Sequence, residues 1–549
     1  MGQARSIIPN VLFVYPRFLR HSFWNYAATC EIVGARYPAA PLGLITVAAL
    51  LPRHWNLRLV NRNTEELSDE DVAWADLVMT GGMLAQQIDT LEVIDLCQAS
   101  GKPVAVGGPD ITSSPHVYEQ ADFKVLGEAE GIIKDFIAAF ERGDRAGTFE
   151  AEKFQVDVTT TPVPRFDLLK FEHYLHIGVQ FSRGCPFTCE FCDIIELYGR
   201  VPRAKTSEQM LAELEALYQC GYRGHVDFVD DNMIGNKKAL KQFLPKLAVW
   251  LKERNYPFEF STEASVNLAD DNELLRMLRA ANFFACFVGI ETPDPDTLVQ
   301  TSKKQNTRRD LAASIHKIYG AGLFVAAGFI VGFDAEKGPV AKATIAFIED
   351  AAIPICMVGL LYALPNTQLT RRLTKEGRLF PNHDVVVAPD GDQTTLGLNF
   401  ETRRPRKDIL TDCQNIVRTI YQPAAYFARV RKVGRMLDCG DLKMSTSVAK
   451  ALHDSLLVVW SLGTNPHCAR HFWKTLVDCL IHNPKALPAV LKLSAIYAHF
   501  GPFSQTVVRM LGTEIEAGMS PWHRSAGLRP KKAPVPELVA LAARLPTPG

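Results

Sequence analysis

Short apolar runs separated by helical stretches recur from residue 10 to about residue 395, and this alternation restricts the chain more than any other feature. Strands that alternate with helices lie parallel, because a parallel neighbour is reached only by a crossover, and the crossover helices then cover the sheet. The first set of runs lies at residues 11–15, 57–60, 77–80, 104–106 and 123–126. It predicts an open, doubly wound, Rossmann-like α/β unit over residues 1–140. The second set lies at 177–181, 226–229, 258–261, 284–290, 324–331 and 356–362. It predicts six β/α units of a partial TIM barrel, (β/α)6, over residues 173–395, with its active face at the strand C-terminal ends. Residues 141–172, with Thr159-Thr160-Thr161 and two nearby prolines, read as a linker. Residues 396–549 read as helices at 409–437, 445–460, 468–481 and 487–511, with a mobile tail from Arg529. Several domains are expected of 549 residues, since a single core stops growing well before that length.

The densest chemistry follows the run 177–181. Cys185, Cys189 and Cys192 stand at CxxxCxxC spacing. Thiolates this close can wrap one metal centre, and iron–sulfur clusters are held by cysteine thiolates. Three thiolates leave one iron of a four-iron cluster open to a substrate or cofactor. A closed structural zinc site normally takes four ligands, so a zinc scaffold fits less well. The other nine of the twelve cysteines stand singly and read as reduced core residues.

Polar residues recur at the ends of the later barrel strands: Asp230-Asp231-Asn232, Glu263, Glu291-Thr292 and Asp334. Each alone reads equally as a helix cap. Together, on one rim beside three cysteines, they indicate a shared site. In the N-terminal unit the strand ends carry Thr80-Gly81-Gly82, Gly107-Gly108-Pro109 and Gly127-Glu128. Ligands of open α/β sheets sit beyond such ends, and glycines there let the backbone approach a large flat ligand, although tight turns use the same residues. No GxGxxG follows the first strand, which disfavours a dinucleotide.

Net charge is zero and no long Lys/Arg block occurs, so a nucleic-acid partner is not expected. Ile7-Ile8 is broken at once by Pro9, unlike a secretory signal. The longest apolar runs, 41–52 and 322–333, fall short of the ~20 residues that span a bilayer. A cytoplasmic location is therefore expected.

The pattern Cys185-xxx-Cys189-x-Phe191-Cys192 at the end of a first barrel strand resembles the radical S-adenosylmethionine (SAM) superfamily. Residues 228–232, 289–292, 328–332 and 364–367 are similar to its later strand motifs. The N-terminal unit resembles the cobalamin-binding domain of the cobalamin-dependent branch. Residues 192–200, with Arg203-Ala-Lys-Thr206, look like the hopanoid C-2 methylases and the related bacteriochlorophyll side-chain methylases. The resemblance spans residues 10–435.

The resemblance implies a [4Fe–4S] cluster on Cys185, Cys189 and Cys192, with SAM on the open iron and cobalamin as third cofactor. It implies C-methylation of an unactivated carbon in an apolar natural product or lipid, by a 5′-deoxyadenosyl radical and methylcobalamin. Cofactors carry such a step because side chains cannot activate a carbon–hydrogen bond of no acidity. For SAM it implies Asp230, Asp231, Asn232, Glu263, Glu291 and the backbone at Ile330. Arg183, Arg200 and Arg203 are candidates for the SAM carboxylate or the cobalamin periphery. Cobalamin is expected on Thr80, Gly81, Gly107, Gly108 and Gly127. The chain lacks DxHxxG, so no histidine ligand to cobalt is expected from that motif. A one-electron donor of flavodoxin or ferredoxin type is implied, and peripheral membrane contact is compatible. The alternatives are a ring closure, ring contraction or oxidative cyclisation with the same cofactors, and a non-catalytic iron–sulfur scaffold.

Overall fold

In the computed structural model the described residues are 8–19, 21–386, 397–440, 442–518 and 522. The tail expected from Arg529 lies outside them.

Two parallel sheets organise the fold. In chain order the strands are β1 (Asn10–Tyr15), β2 (Tyr37–Ala39), β3 (Asn56–Asn61), β4 (Leu77–Gly81), β5 (Val104–Gly107), β6 (Phe123–Leu126) and β7 (Gly147–Glu150). There follow β8 (Tyr174–Val179), β9 (Ser182–Arg183), β10 (Arg203–Ala204), β11 (Gly224–Phe228), β12 (Phe258–Glu263), β13 (Phe283–Glu291), β14 (Phe324–Val331) and β15 (Ile355–Leu360). The first sheet has six strands in the order β3-β1-β4-β5-β6-β7. Both its faces are covered, which is why its strands read as continuous apolar runs. Val11 and Phe13 enter one core, while Leu12 and Val14 enter the other.

The second sheet is the curled half-barrel, in the order β15-β14-β13-β12-β11-β8-β2. It has seven strands, not the six expected. The seventh is β2, which leaves the N-terminal unit and pairs with β8 at Tyr37↔Tyr174 and Ala39↔His176. It contains Pro38, which lacks an N–H and is tolerated because β2 is an edge strand. The supposed linker also holds a strand, β7, at the far edge of the first sheet. Its alternately exposed residues leave no apolar run to read.

The expected helix 409–437 is two helices, Arg406–Ile420 and Pro423–Met436. Pro423 cannot continue the first and takes the opening position of the second. Three helices complete the region: Val448–Gly463, Ala469–His482 and Leu487–Ala517. Ile409, Val430, Leu493 and Phe500 belong to the same continuous core as the barrel residues Val226, Phe260 and Val288. The helical region is therefore part of the barrel's packing. Among the described residues no helix is long and apolar enough to cross a membrane.

Candidate active site

The loop after β8 is pinned at its neck by β9 and β10, which pair antiparallel at Arg183↔Arg203 and Ser182↔Ala204. Gly184 opens the loop at φ 92, and a Cβ there would lie 2.9 Å from the Gly199 carbonyl oxygen. The acids after β11 hold this loop in place. Asp230, fully buried, accepts the N–H groups of Phe181 (2.9 Å) and Ser182 (2.5 Å) and the Ser182 hydroxyl. Asp231 accepts the Gly184 N–H at 2.8 Å. Asn232 donates to Ser265 Oγ at 3.1 Å and lies 3.8 Å from Cys185 Sγ. The three residues expected to meet SAM are thus engaged in bracing the cysteine loop, and Asp230 has no oxygen left over.

The cysteines sit in a shielded setting. Cys189 is buried, and Gln305 Nε2 points at its sulfur from 3.6 Å. Burial pushes the Cys185 thiol up and the Cys192 thiol well up. Such thiols ionise when a cationic centre replaces their protons. Among the described residues no three His, Cys, Asp or Glu side chains close on a single ion. A four-iron cluster takes its three thiolates on three different irons, so wider spacing suits it. The donor set therefore fits the cluster.

Glu291 stands on a β-bulge of β13 at φ 66, a strained conformation for a side-chain-bearing residue. Its carboxylate lies 2.5 Å from buried Lys303 Nζ. Burial opposes the charge on Lys303, but Glu291 and the sulfurs of Cys189 and Cys192 outweigh it, and the net shift is upward. A fixed cation thus stands beside the cysteines, and Glu291 is committed to it. Ile330 is half-buried on β14 beside Gly359.

Arg183 and Arg203 are also spent. Arg183 pairs with Glu128 (2.9 Å) and Glu130 (2.6 Å), and Arg203 pairs with Glu128 at 2.8 Å. Arg203 also donates to the Val156 and Tyr198 carbonyls. These arginines clamp the cysteine loop to the end of β6. Arg200 is exposed.

A cavity of about 1480 Å³ joins the two sheets. One wall is the set of strand ends with Thr80, Gly81, Gly107, Gly108 and Gly127, all five expected at cobalamin. Gly81 has φ 155, and a Cβ there would fall 1.9 Å from the Gly107 carbonyl oxygen, so bare backbone lines this wall. Thr80 spends its hydroxyl on the Val14 carbonyl (2.8 Å). The wall therefore offers backbone and a flat, open floor, which fits a large planar ring. Among the described residues the histidines lining the cavity are His176 and His225, both from barrel strands.

Glu263 faces the cavity from the end of β12. Burial, then the nearby carboxylates of Asp227, Asp231 and Asp230, push it up to about 8. Deeper in the barrel His225 Nε2 lies 2.6 Å from Ser261 Oγ, which donates to Asp227. His176 lies tilted beside His225 at 5.0 Å between ring centroids, and its buried Nδ1 has no hydrogen-bond partner. Burial pushes both histidines down, which favours the neutral imidazole. Apart from Glu263, these lumen residues were not singled out from the sequence. A signal was present: His225 and Asp227 on β11, and Glu259 and Ser261 on β12, alternate with apolar residues at period two.

Comparison with known proteins places this geometry. Residues 179–344 match the Radical SAM superfamily, and residues 367–512 match a domain of unknown function, DUF4070. The chain is 42% identical over 513 residues to an uncharacterized methyltransferase, sll1242, of Synechocystis sp., covering 93% of this chain and 94% of that one. It is 33% identical over 497 residues to hopanoid C-2 methylase of Rhodopseudomonas palustris, covering 86% and 89% respectively. In fold it matches the cobalamin-dependent SAM radical enzyme OxsB with a TM-score of 0.59 at 15% identity, over 94% of this chain and 83% of that chain. TsrM, a radical SAM methyltransferase from Kitasatospora setae, matches with a TM-score of 0.56 at 14% identity, over 87% and 100%. Fold and cysteine loop together define a radical SAM enzyme. The chain belongs to the radical SAM methyltransferase family that includes hopanoid C-2 methylase, within a superfamily whose cofactors are a [4Fe–4S] cluster and SAM.

Proposed function

We propose that this protein methylates an unactivated carbon of an apolar polycyclic lipid. The observation that carries the reading is the single cavity running from the glycine strand ends of the first sheet to Glu263 in the barrel. Bound there, the three cofactors supply hydrogen-atom removal and methyl donation at a carbon without acidity.

The chain's own residues bind and orient. Cys185, Cys189 and Cys192 hold the cluster. Asp230 and Asp231 fix the loop that presents them, and Asn232 and Gln305 aim N–H groups at two of the sulfurs. Glu263 and the backbone near Ile330 are the remaining SAM contacts. Glu263, protonated near neutral pH, can donate a hydrogen bond to a ribose hydroxyl. Gly81, Gly107, Gly108 and Gly127 let the cobalamin ring lie against backbone. Between the cofactors the walls carry Phe284, Phe287, Phe324 and Leu44, an apolar lining suited to a hydrocarbon ring system. All twelve cysteines are free, as in the reducing cytoplasm, where a flavodoxin or ferredoxin would supply the electron.

The test is anaerobic reconstitution with methyl-labelled SAM, a low-potential reductant and polycyclic lipids. Methyl transfer should yield S-adenosylhomocysteine and 5′-deoxyadenosine together with a labelled lipid. 5′-Deoxyadenosine without S-adenosylhomocysteine would replace this reading with a cyclisation or ring rearrangement.

A further inference from the structure

Two helices of the C-terminal region turn their apolar side chains outward. On Val448–Gly463, Val448, Leu452, Leu456 and Trp460 recur every fourth residue and are 58–73% exposed. On Ala469–His482, which packs beside it, Trp473, Val477, Leu480 and Ile481 are 44–70% exposed. A helix of a globular protein normally turns such a stripe inward. A contiguous apolar patch of this kind marks an interaction site.

The other side of the first helix has a different task. Ala451, Asp454, Ser455 and Val458 line the cavity. At 100° per residue the centre of this set lies about 130° round the helix from the centre of the stripe. One helix thus separates the substrate cavity from the apolar surface.

The free charge beside the patch is positive. Arg470 and Lys474 share the outward side of their helix with the stripe, and Lys485 follows in the next turn. All three are exposed and have no acid against them among the described residues. The two acids of the helix pair are engaged, Asp454 with Lys450 at 3.1 Å and Asp478 with Arg435. Tryptophans and leucines with flanking cations are the makings of a surface that lies in the lipid interface. A two-fold pair of such faces would bring the unpaired cations of the two copies together, which disfavours a second copy as the occupant.

We propose that the outward face of helices Val448–Gly463 and Ala469–His482 docks on an anionic lipid bilayer, placing the helical wall of the cavity against the acyl layer from which an apolar substrate enters. The substrate clause rests on the proposed function; the docking does not.

The experiment is co-sedimentation of the full-length holoprotein with vesicles of phosphatidylcholine containing phosphatidylglycerol, and with phosphatidylcholine alone. The protein should pellet with the anionic vesicles. The triple variant Leu452→Ser/Leu456→Ser/Trp460→Ser should bind roughly tenfold more weakly or worse, with its circular dichroism and cluster absorbance unchanged. Arg470→Ser/Lys474→Ser, or high salt, should abolish the preference for anionic vesicles. The proposal is overturned if the wild-type protein stays in the supernatant, or if the triple variant pellets equally well. It is also overturned if light scattering shows a dimer that the triple variant splits, or if binding appears only after removal of residues 519–549. Because no turnover is measured, failure here leaves the methyl-transfer reading standing, and failure of methylation leaves the docking face standing.

Discussion

Arg183 Nη1 donates to Glu128 Oε1 at 2.9 Å across 55 residues of chain, joining the cysteine loop to the end of β6. Arg203 shares the same carboxylate and Glu130 accepts from Arg183 Nη2, so two arginines and two glutamates form one buried network between the sheets. Removing one partner of a buried pair strands the others. Glu128→Gln should therefore destabilise the protein by about 3–5 kcal/mol in denaturant unfolding. A loss under ~1 kcal/mol would show that water screens the network as at a surface. Burial pushes Glu130 up, but Arg183 outweighs it and the carboxyl ends below its ordinary value of 4.5. Its contribution is therefore full above pH 4.5 and is lost as the pH falls through the lowered value.

Glu263 runs the opposite way. Its carboxyl titrates near 8 when folded and near 4.5 when unfolded. Between these values the folded protein keeps a proton that the unfolded chain has released. Stability of the cofactor-free protein should thus fall as pH rises from about 5 to 8, by up to ~1.4 kcal/mol per unit from this group. Glu263→Gln should flatten the profile. An unchanged slope in thermal unfolding across that range would mean that the carboxyl is solvated.

Cluster assembly tests the ligand set. Cys189→Ala should lose the iron–sulfur absorbance after anaerobic reconstitution. Gln305→Leu keeps the thiolates but removes the N–H aimed at Cys189 from 3.6 Å. Hydrogen bonds to sulfur favour the reduced, more negative cluster, so its midpoint potential should move downward. An unshifted potential would place Gln305 outside the cluster's environment.

The glycine wall makes a steric prediction. A Cβ at Gly81 would fall 1.9 Å from the Gly107 carbonyl oxygen, so Gly81→Ala must part the ends of β4 and β5. It should weaken cobalamin binding, followed by absorbance titration, and cost more than ~2 kcal/mol of stability. Gly320→Ala, with nothing within 4 Å of its added Cβ, is the control and should be neutral or slightly stabilising.

Strand and helix alternation was legible because period and length are local properties, and all eleven runs became strands. Four strands escaped: the two-residue strands β9 and β10, and β2 and β7 at the edges of the two large sheets. β2 is three residues with a proline, and β7 is half exposed, so neither carries an apolar run. Thr206 caps the helix Ser207–Gln219. Its hydroxyl accepts the Gln209 N–H, but the Gln209 side chain donates to the Val158 and Thr161 carbonyls, partners that lie some fifty residues back in the chain.

Within the site, the sequence by itself determined that Cys185, Cys189 and Cys192 stand together, because three thiols spaced over eight residues must share one loop wherever it folds. It also determined which backbone can lie bare against a large ring, through the glycines at successive strand ends. Only the tertiary structure decided how the charged residues are used. Asp230, Asp231, Glu291, Arg183 and Arg203 brace or clamp, while Glu263 faces open space. A carboxylate's role depends on what lies within about 3 Å of it and on how much water remains, and both are set by chain segments distant in sequence.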